Sequence, residues 1–281
     1  MREIQSAALK EALVRMILEA NYVISDDITG ALAEARRIET MPAAAFVLDQ
    51  IMENNQIAKD ERLAICQDTG MAVFFFEIGQ DVHFTGGAFE DTVQQAVRDA
   101  YREGYLRKSI VAEPIWERKN TGDNTPAVIH TRIVPGDQVR VLFIAKGFGS
   151  ENMSRIKMLS PASGEKGVLD CIVETALNAG PNACPPMIIG VGVGGDFESA
   201  AVLAKKMIAR PVGSHHPDAK YAGLEAEALR RINASGIGPG GIGGRTLALA
   251  VNIGYLPTHI AGLPIAVNIC CHASRHAVLT I

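Results

Sequence analysis

The chain has 281 residues, 48% hydrophobic and 21% charged, with Gly 27 and Pro 13, a globular composition that excludes disorder and a collagen-like fibre. Lys+Arg 27 against Asp+Glu 31 leaves a net charge of −4, so no global electrostatic term draws it to nucleic acid or an anionic membrane. Cys 5 is an odd and low count, which fits reduced thiols better than a disulfide framework.

The first sixty residues read as helices. Ile4, Ala8, Ala12, Met16 and Ile17 recur at helical spacing, Ser25 or Asp26 caps a second helix and Pro42 opens a third. Lys10, Glu11 and Arg15 interrupt any signal-peptide core, and no run approaches the roughly 18 apolar residues of a membrane span, so a cytoplasmic location is expected. Residues 71–78 (MAVFFFEI) read as a buried strand, residues 89–102 as a helix, and residues 127–134 and 138–145 as a hairpin about Pro135-Gly136-Asp137.

Further on, residues 166–179 read as a helix, 186–193 as a buried strand ending in glycines, and 196–209 as a second helix. Residues 235–245 (SGIGPGGIGGR) hold six glycines in eleven positions, too many for an element interior, and predict a loop. Two apolar runs follow, 246–253 and 264–270. Without a repeat or a polar linker, the expectation is one domain over residues 1–281, of mixed α/β class, with helices packed around sheets and the helical region 1–60 packed on them.

Two features could carry chemistry. Residues 190–195 (GVGVGG) satisfy G-x-G-x-x-G spacing, but the expected second strand ending in an acid is missing, so a tight strand-to-helix turn is favoured over a nucleotide-dependent oxidoreductase. Cys171 sits inside a predicted helix and reads as a small buried hydrophobe, whereas Cys66, Cys184 and Cys271 lie at element termini, where sites are built. Their separations of 118 and 87 residues disfavour a zinc ribbon, which uses local pairs. Three thiolates can hold a cubane iron–sulfur cluster with one iron open to substrate oxygen. A zinc-binding interaction module built on Cys270, Cys271, His272 and His276 is the alternative of another class, although adjacent ligands strain a tetrahedral site. His215-His216 lack further close ligands and are given no role.

Five stretches together carry a more specific signal: Cys66-Gln67-Asp68-Thr69-Gly70, Leu106-Arg107-Lys108-Ser109, residues 146–152 (KGFGSEN), Asn182-Ala183-Cys184-Pro185-Pro186 with the following GVGVGG, and residues 259–264 (HIAGLP) through Cys271. In this order the chain resembles the α subunit of the iron–sulfur-dependent class I fumarate hydratase and L-tartrate dehydratase family, equivalent to the N-terminal domain of its single-chain members. The resemblance implies an iron–sulfur hydro-lyase fold and a [4Fe–4S] cluster held by Cys66, Cys184 and Cys271, with Cys270 a bystander. It also implies a substrate site of Gln67, Asp68, Arg107, Gly149 and His259, of which Asp68 and His259 are the catalytic candidates. Arg107 offers the planar fork of donors that a dicarboxylate needs, and Gly149 lets a backbone N–H approach closely. Lys146 is left without a role, and Glu151 and Asn152 read as loop support. The implied reaction is reversible hydration of fumarate to L-malate, with L-tartrate dehydration as the alternative. Its base belongs to a separate β subunit carrying the C-terminal domain, which makes a hetero-oligomer the expected assembly.

Overall fold

A computed structural model describes all 281 residues. In chain order its elements are β1 (Arg2–Gln5), α1 (Ser6–Tyr22), α2 (Asp26–Ile38), α3 (Pro42–Glu61), β2 (Met71–Gly79), β3 (Val82–Thr85), α4 (Phe89–Glu103), β4 (Val128–Val134), β5 (Val139–Lys146), α5 (Phe148–Glu151), β6 (Arg155–Leu159), α6 (Gly164–Ala179), β7 (Met187–Gly194), α7 (Phe197–Met207), α8 (Ala219–Asn233), β8 (Ala248–Leu256), β9 (Leu263–Cys270) and β10 (Arg275–Thr280). The class is mixed α/β, as expected. Packing divides the chain into a first unit of Met1–Ile24, Asn55–Phe148 and Arg275–Ile281, and a second of Ser25–Asn54 and Gly149–Ser274.

The first unit is organised by β2. Its sequence, MAVFFFEIG, is apolar on both faces, so it needs a neighbour on each edge and a layer on each side. The sheet order is β10-β5-β2-β4, with β2 antiparallel to β5 and parallel to β4. The hairpin reading of residues 127–145 is therefore corrected: β4 and β5 do not pair, because β2 lies between them. Pro135-Gly136-Asp137 instead arches over the end of β2, where Gly79 N–H donates to Gln138 O (2.8 Å) and Asp81 N–H to Gly136 O (3.0 Å). Phe74, Phe76 and Phe143 form the core with Leu9, Leu13 and Ile17 of α1 and Val93, Ala96 and Val97 of α4. The buried stripe of α1 is Leu9, Leu13, Met16, Ile17 and Ala20, whereas Ala8 is exposed. Ile4 belongs to β1, which runs parallel to β3 and carries no helical signal.

The second unit is a sheet of order β6-β9-β7-β8, in which β7 is antiparallel to β9 and parallel to β8. Every residue of β7 is buried. Its repeated glycines are explained by α7: a Cβ on Gly190 would fall 2.2 Å from Ala204 O, and one on Gly192 2.2 Å from Ala200 O. The helix backbone thus lies directly on the strand. Asp196 caps α7, its carboxylate accepting from Ser199 N–H (2.8 Å) while Asp196 N–H donates to Ser199 Oγ (2.8 Å). A carboxylate occupies the helix N-terminus where a pyrophosphate would sit, so GVGVGG is a packing device here. β1, β3, α5, β6, α8 and β10 complete the fold beyond the elements read from the sequence.

Candidate active site

In the first unit, Cys66 to Gly70 form the loop that enters β2. Asp68 N–H donates to Cys66 Sγ (3.4 Å). The Asp68 carboxylate accepts from Gly70 N–H (2.9 Å) and from Phe148 N–H (2.8 Å), tying the loop to the end of β5. Gly70 is required there: its φ is +73°, and a Cβ would lie 2.6 Å from the Lys146 carbonyl carbon. Tyr101, fully buried on α4, donates its hydroxyl to Thr69 O (2.9 Å) and Gly70 O (3.1 Å), and Asn124 Nδ2 donates to Gly70 O (3.1 Å). Burial raises the Tyr101 pKa above its ordinary value, outweighing the nearby Arg275 charge, so the hydroxyl remains a donor.

Arg107 joins this group through its backbone. Thr69 Oγ1 donates to Arg107 O (3.1 Å), and Ser109 N–H donates to Asn124 Oδ1 (2.7 Å), which fixes the segment while the Arg107 side chain stays exposed. Lys146 is buried, with Nζ donating to Gly147 O (3.1 Å). Four of the expected site residues, Cys66, Gln67, Asp68 and Arg107, are thus carried by two loops bonded to each other. Tyr101 and Asn124, which bind those loops, were missed by sequence reasoning: Tyr101 shows only as part of an apolar helix stripe. Tyr101→Phe leaves the Thr69 and Gly70 carbonyls short of a donor and is expected to cost about 1–2 kcal/mol in a denaturant titration.

In the second unit, Cys184 precedes β7 and Cys271 follows β9. Since Ile188 pairs with Cys270, both thiols lie at the same end of the sheet, and His272 N–H donates to Cys184 O (3.3 Å). Cys184 holds φ 51° and ψ 65°, a left-handed conformation rare outside glycine and typical of functional positions. The glycine-rich loop supports it: Gly240 N–H donates to Pro185 O (3.0 Å), and Gly241 packs so closely on Pro181 that a Cβ would lie 2.4 Å from it. Glu39 in turn holds that loop, accepting from Arg245 N–H (2.7 Å) and, at its other oxygen, from the Thr40 and Met41 N–H groups (both 2.9 Å). Burial would raise its pKa, but these amides lower it below the usual value.

Gly149 lies on α5 at this cysteine end. Glu151, two residues on, accepts from Asn268 Nδ2 (3.0 Å), and Ser154 Oγ accepts from Ile269 N–H (3.0 Å). A Cβ on Gly149 would meet nothing within 4 Å, so open space lies above its backbone. His259 is placed elsewhere. It follows β8 on an exposed loop at the Gly194 end of the sheet, Gly195 N–H donating to Pro257 O (3.1 Å). The eight residues of β9, roughly 23 Å from first Cα to last, separate it from Cys271. Its Nδ1 accepts from Ala261 N–H (3.2 Å), which leaves Nε2 to carry the proton in the neutral ring.

The five cysteines divide by exposure. Cys184 is exposed and Cys66 and Cys271 are half-buried, whereas Cys171 and Cys270 are 3% and 4% exposed. Burial also raises the Cys171 pKa, outweighing nearby Lys157, so this thiol stays protonated and is a poor ligand. The three accessible thiols are of the kind that binds metal, and the two buried ones are not. Cys270, buried at 4% exposure, is a poor candidate for the zinc module. A cubane distributes three thiolates over three irons and needs no shared ion.

The family model described as fumarate hydratase (fumerase) matches residues 10–280. A chain of Methanocaldococcus jannaschii, named as a candidate L(+)-tartrate dehydratase subunit alpha, is 35% identical over 274 residues, covering 96% of both chains. The L(+)-tartrate dehydratase subunit alpha of Escherichia coli is 33% identical over 258 residues, covering 91% of this chain and 85% of that one. The same protein of Shigella sonnei matches to the same extent.

Proposed function

The chain belongs to the fumarate hydratase family and is a hydro-lyase, and on that premise we propose that it is the α subunit of a [4Fe–4S] enzyme interconverting fumarate and L-malate. The observation that carries the cluster is the split among the cysteines: the three that match the family motifs are accessible, and the other two are buried. Cys66, Cys184 and Cys271 hold the group, which when bound supplies a Lewis-acidic iron for the hydroxyl that leaves or arrives.

The chain's own residues bind and orient. Arg107, exposed on a fixed backbone, pairs with one substrate carboxylate through its planar fork. Gln67 and the Gly149 N–H contact the substrate's oxygens. Asp68, with both oxygens already accepting backbone amides, acts as a fixed acceptor beside the reacting centre and sets the loop that carries Cys66 and Gln67. The base that removes the carbon-bound proton comes from a separate β subunit, a reading supported by the relatives' names as alpha subunits. The assembly acts in the cytoplasm, and residues 1–281 serve it as one functional domain.

His259 enters this scheme from a second copy of the chain, because the eight residues of β9 separate it from the cysteines of its own unit. Mixing equal amounts of Cys184→Ser and His259→Asn chains, each inactive alone, is expected to restore about a quarter of wild-type activity, since in a symmetric pair one site in four is then intact. No recovery would mean that His259 acts within its own chain and would refute the second-copy reading. L-tartrate dehydration is the second reading, favoured by the relatives' names. The two substrates differ by one hydroxyl, a difference that few contacts decide.

Anaerobic reconstitution with iron and sulfide, followed by assays on fumarate, L-malate and L-tartrate with and without the β subunit, tests the whole. The expected result is a cluster on the α chain, turnover only in the pair and a higher kcat/KM for fumarate. A larger value for L-tartrate would transfer the assignment to tartrate, and turnover by the chain alone would remove the β subunit from the mechanism.

A further inference from the structure

Between α4 and β4 the chain builds an arm from residues 104–127 that contains no regular strand, yet its backbone is closely tied. Ala112 N–H donates to Lys119 O (2.8 Å), Thr121 N–H to Ile110 O (2.9 Å) and Asn120 Nδ2 to Lys108 O (2.9 Å). Its base is clamped by Arg98 on Asp123 (2.8 Å) and by Asn124, which bonds both Ser109 and Gly70. Burial works against the Asp123 charge, but Arg98 and Thr125 hold its pKa down to about 2, so the clamp persists at any ordinary pH.

The tip is ordered with equal care. One Glu113 oxygen accepts from Ile115 N–H (2.7 Å), the other from Trp116 N–H (2.6 Å) and Glu117 N–H (2.9 Å), and Arg118 Nη1 donates to Pro114 O (2.5 Å). This turn points two large apolar side chains at solvent: Ile115 is 66% exposed and Trp116, the sole tryptophan of the chain, is 81% exposed. A tryptophan left in water on a rigid backbone forgoes the burial energy that such a side chain gains elsewhere, and it is the residue type most enriched among interface anchors. The rigidity matters as well, because a preordered tip loses little entropy on docking.

We propose that this arm is the docking element for the β subunit, with Trp116 and Ile115 seated in an apolar pocket and an acidic rim facing Lys108, Arg118 and Lys119. The inference rests on the split-enzyme reading above and names the surface that reading needs. Two observations select this partner. The base of the arm carries Arg107 and bonds Gly70 of the Cys66 loop, so the arm borders the substrate groups to which the β subunit must bring its base. Three cations of the arm, Lys108, Arg118 and Lys119, stand against Glu113 and Glu117, and Glu113 is consumed by the turn, which leaves the arm basic.

The single tryptophan makes the test direct. The chain is labelled with 5-fluorotryptophan, giving one fluorine resonance, and titrated anaerobically with unlabelled β subunit, with its own concentration varied separately. The resonance is expected to move with β subunit and to stay fixed with chain concentration. Trp116→Ala with Ile115→Ser should weaken association about 30-fold or more while leaving the thermal midpoint and cluster content of the isolated chain unchanged, and Trp116→Phe should recover part of the loss. Reconstituted activity with an unmoved resonance would place the β subunit elsewhere and overturn the proposal. A shift with chain concentration alone would do the same, assigning the tip to a second copy. If the wild-type pair neither associates nor turns over, the split-enzyme reading falls first and takes the docking surface with it.

Discussion

Cys184→Ser is expected to give a folded chain that holds no [4Fe–4S] cluster and, paired with its β subunit, has lost at least about 1,000-fold in activity, a barrier change of about 4 kcal/mol. A serine hydroxyl is a poor, protonated substitute for thiolate at neutral pH, and Cys184 is an exposed side chain in a left-handed turn, so little packing is lost with the sulfur. Cys66→Ser and Cys271→Ser should behave alike. Cys171→Ser and Cys270→Ser place a hydroxyl in the core, where they lose about 1–3 kcal/mol of stability but keep iron and sulfide. Iron and sulfide quantitation alongside a denaturant titration separates the two groups. Equal cluster loss at Cys171 and Cys184 would refute the ligand assignment.

Gly192→Ala carries the largest expected effect on stability. The added methyl would lie 2.2 Å from Ala200 O and 2.9 Å from Ala204 N, both helix backbone atoms, so α7 as a whole has to lift from β7. The expected loss is about 2–4 kcal/mol. Gly254→Ala, on the neighbouring strand, is the control: its methyl would meet Leu203 Cδ1 and Met207 Sδ at 3.0 Å, and these are ends of flexible side chains that can turn aside. Its loss should stay below about 1.5 kcal/mol. If the two substitutions have equal effects in a chemical denaturation series, close backbone packing is not what the glycines serve.

These glycines show where the sequence was legible and where it was not. GVGVGG announced a strand running into a turn, and β7, Gly195 and α7 follow that reading. What the glycines faced could not be read, because the pressing helix backbone leaves no trace in spacing. The strand MAVFFFEI was equally plain, but its central place was hidden: the Pro135-Gly136-Asp137 turn is as good a hairpin signal as any, and only pairing with β2 on both sides displaces it. The short strands β1 and β3 had too few residues for a period to show. Within the site, the cysteine loops stood out as element termini, and their motifs gave the candidate ligands. The supports did not: Glu39 lies more than 140 residues before the turn it steadies, and Tyr101 looks like any other member of a helix stripe. His259 was assigned by motif alone, and a motif carries no information on which end of a sheet its loop will occupy.

The edge strand β10 has one further consequence, in time. It pairs with β5 from Arg275↔Ala145 to Thr280↔Arg140 and closes the first unit's sheet, although nearly all the rest of that unit is specified before residue 149. At about 5–20 residues per second of synthesis, those early segments spend several seconds or more on the ribosome with the β5 edge uncovered while residues 149–274 emerge. The second unit is therefore the first to have all its strands available. Cys66 waits in an unfinished sheet until residues 275–280 emerge, and a chain stalled before residue 275 exposes a strand edge for aggregation or capture by chaperones.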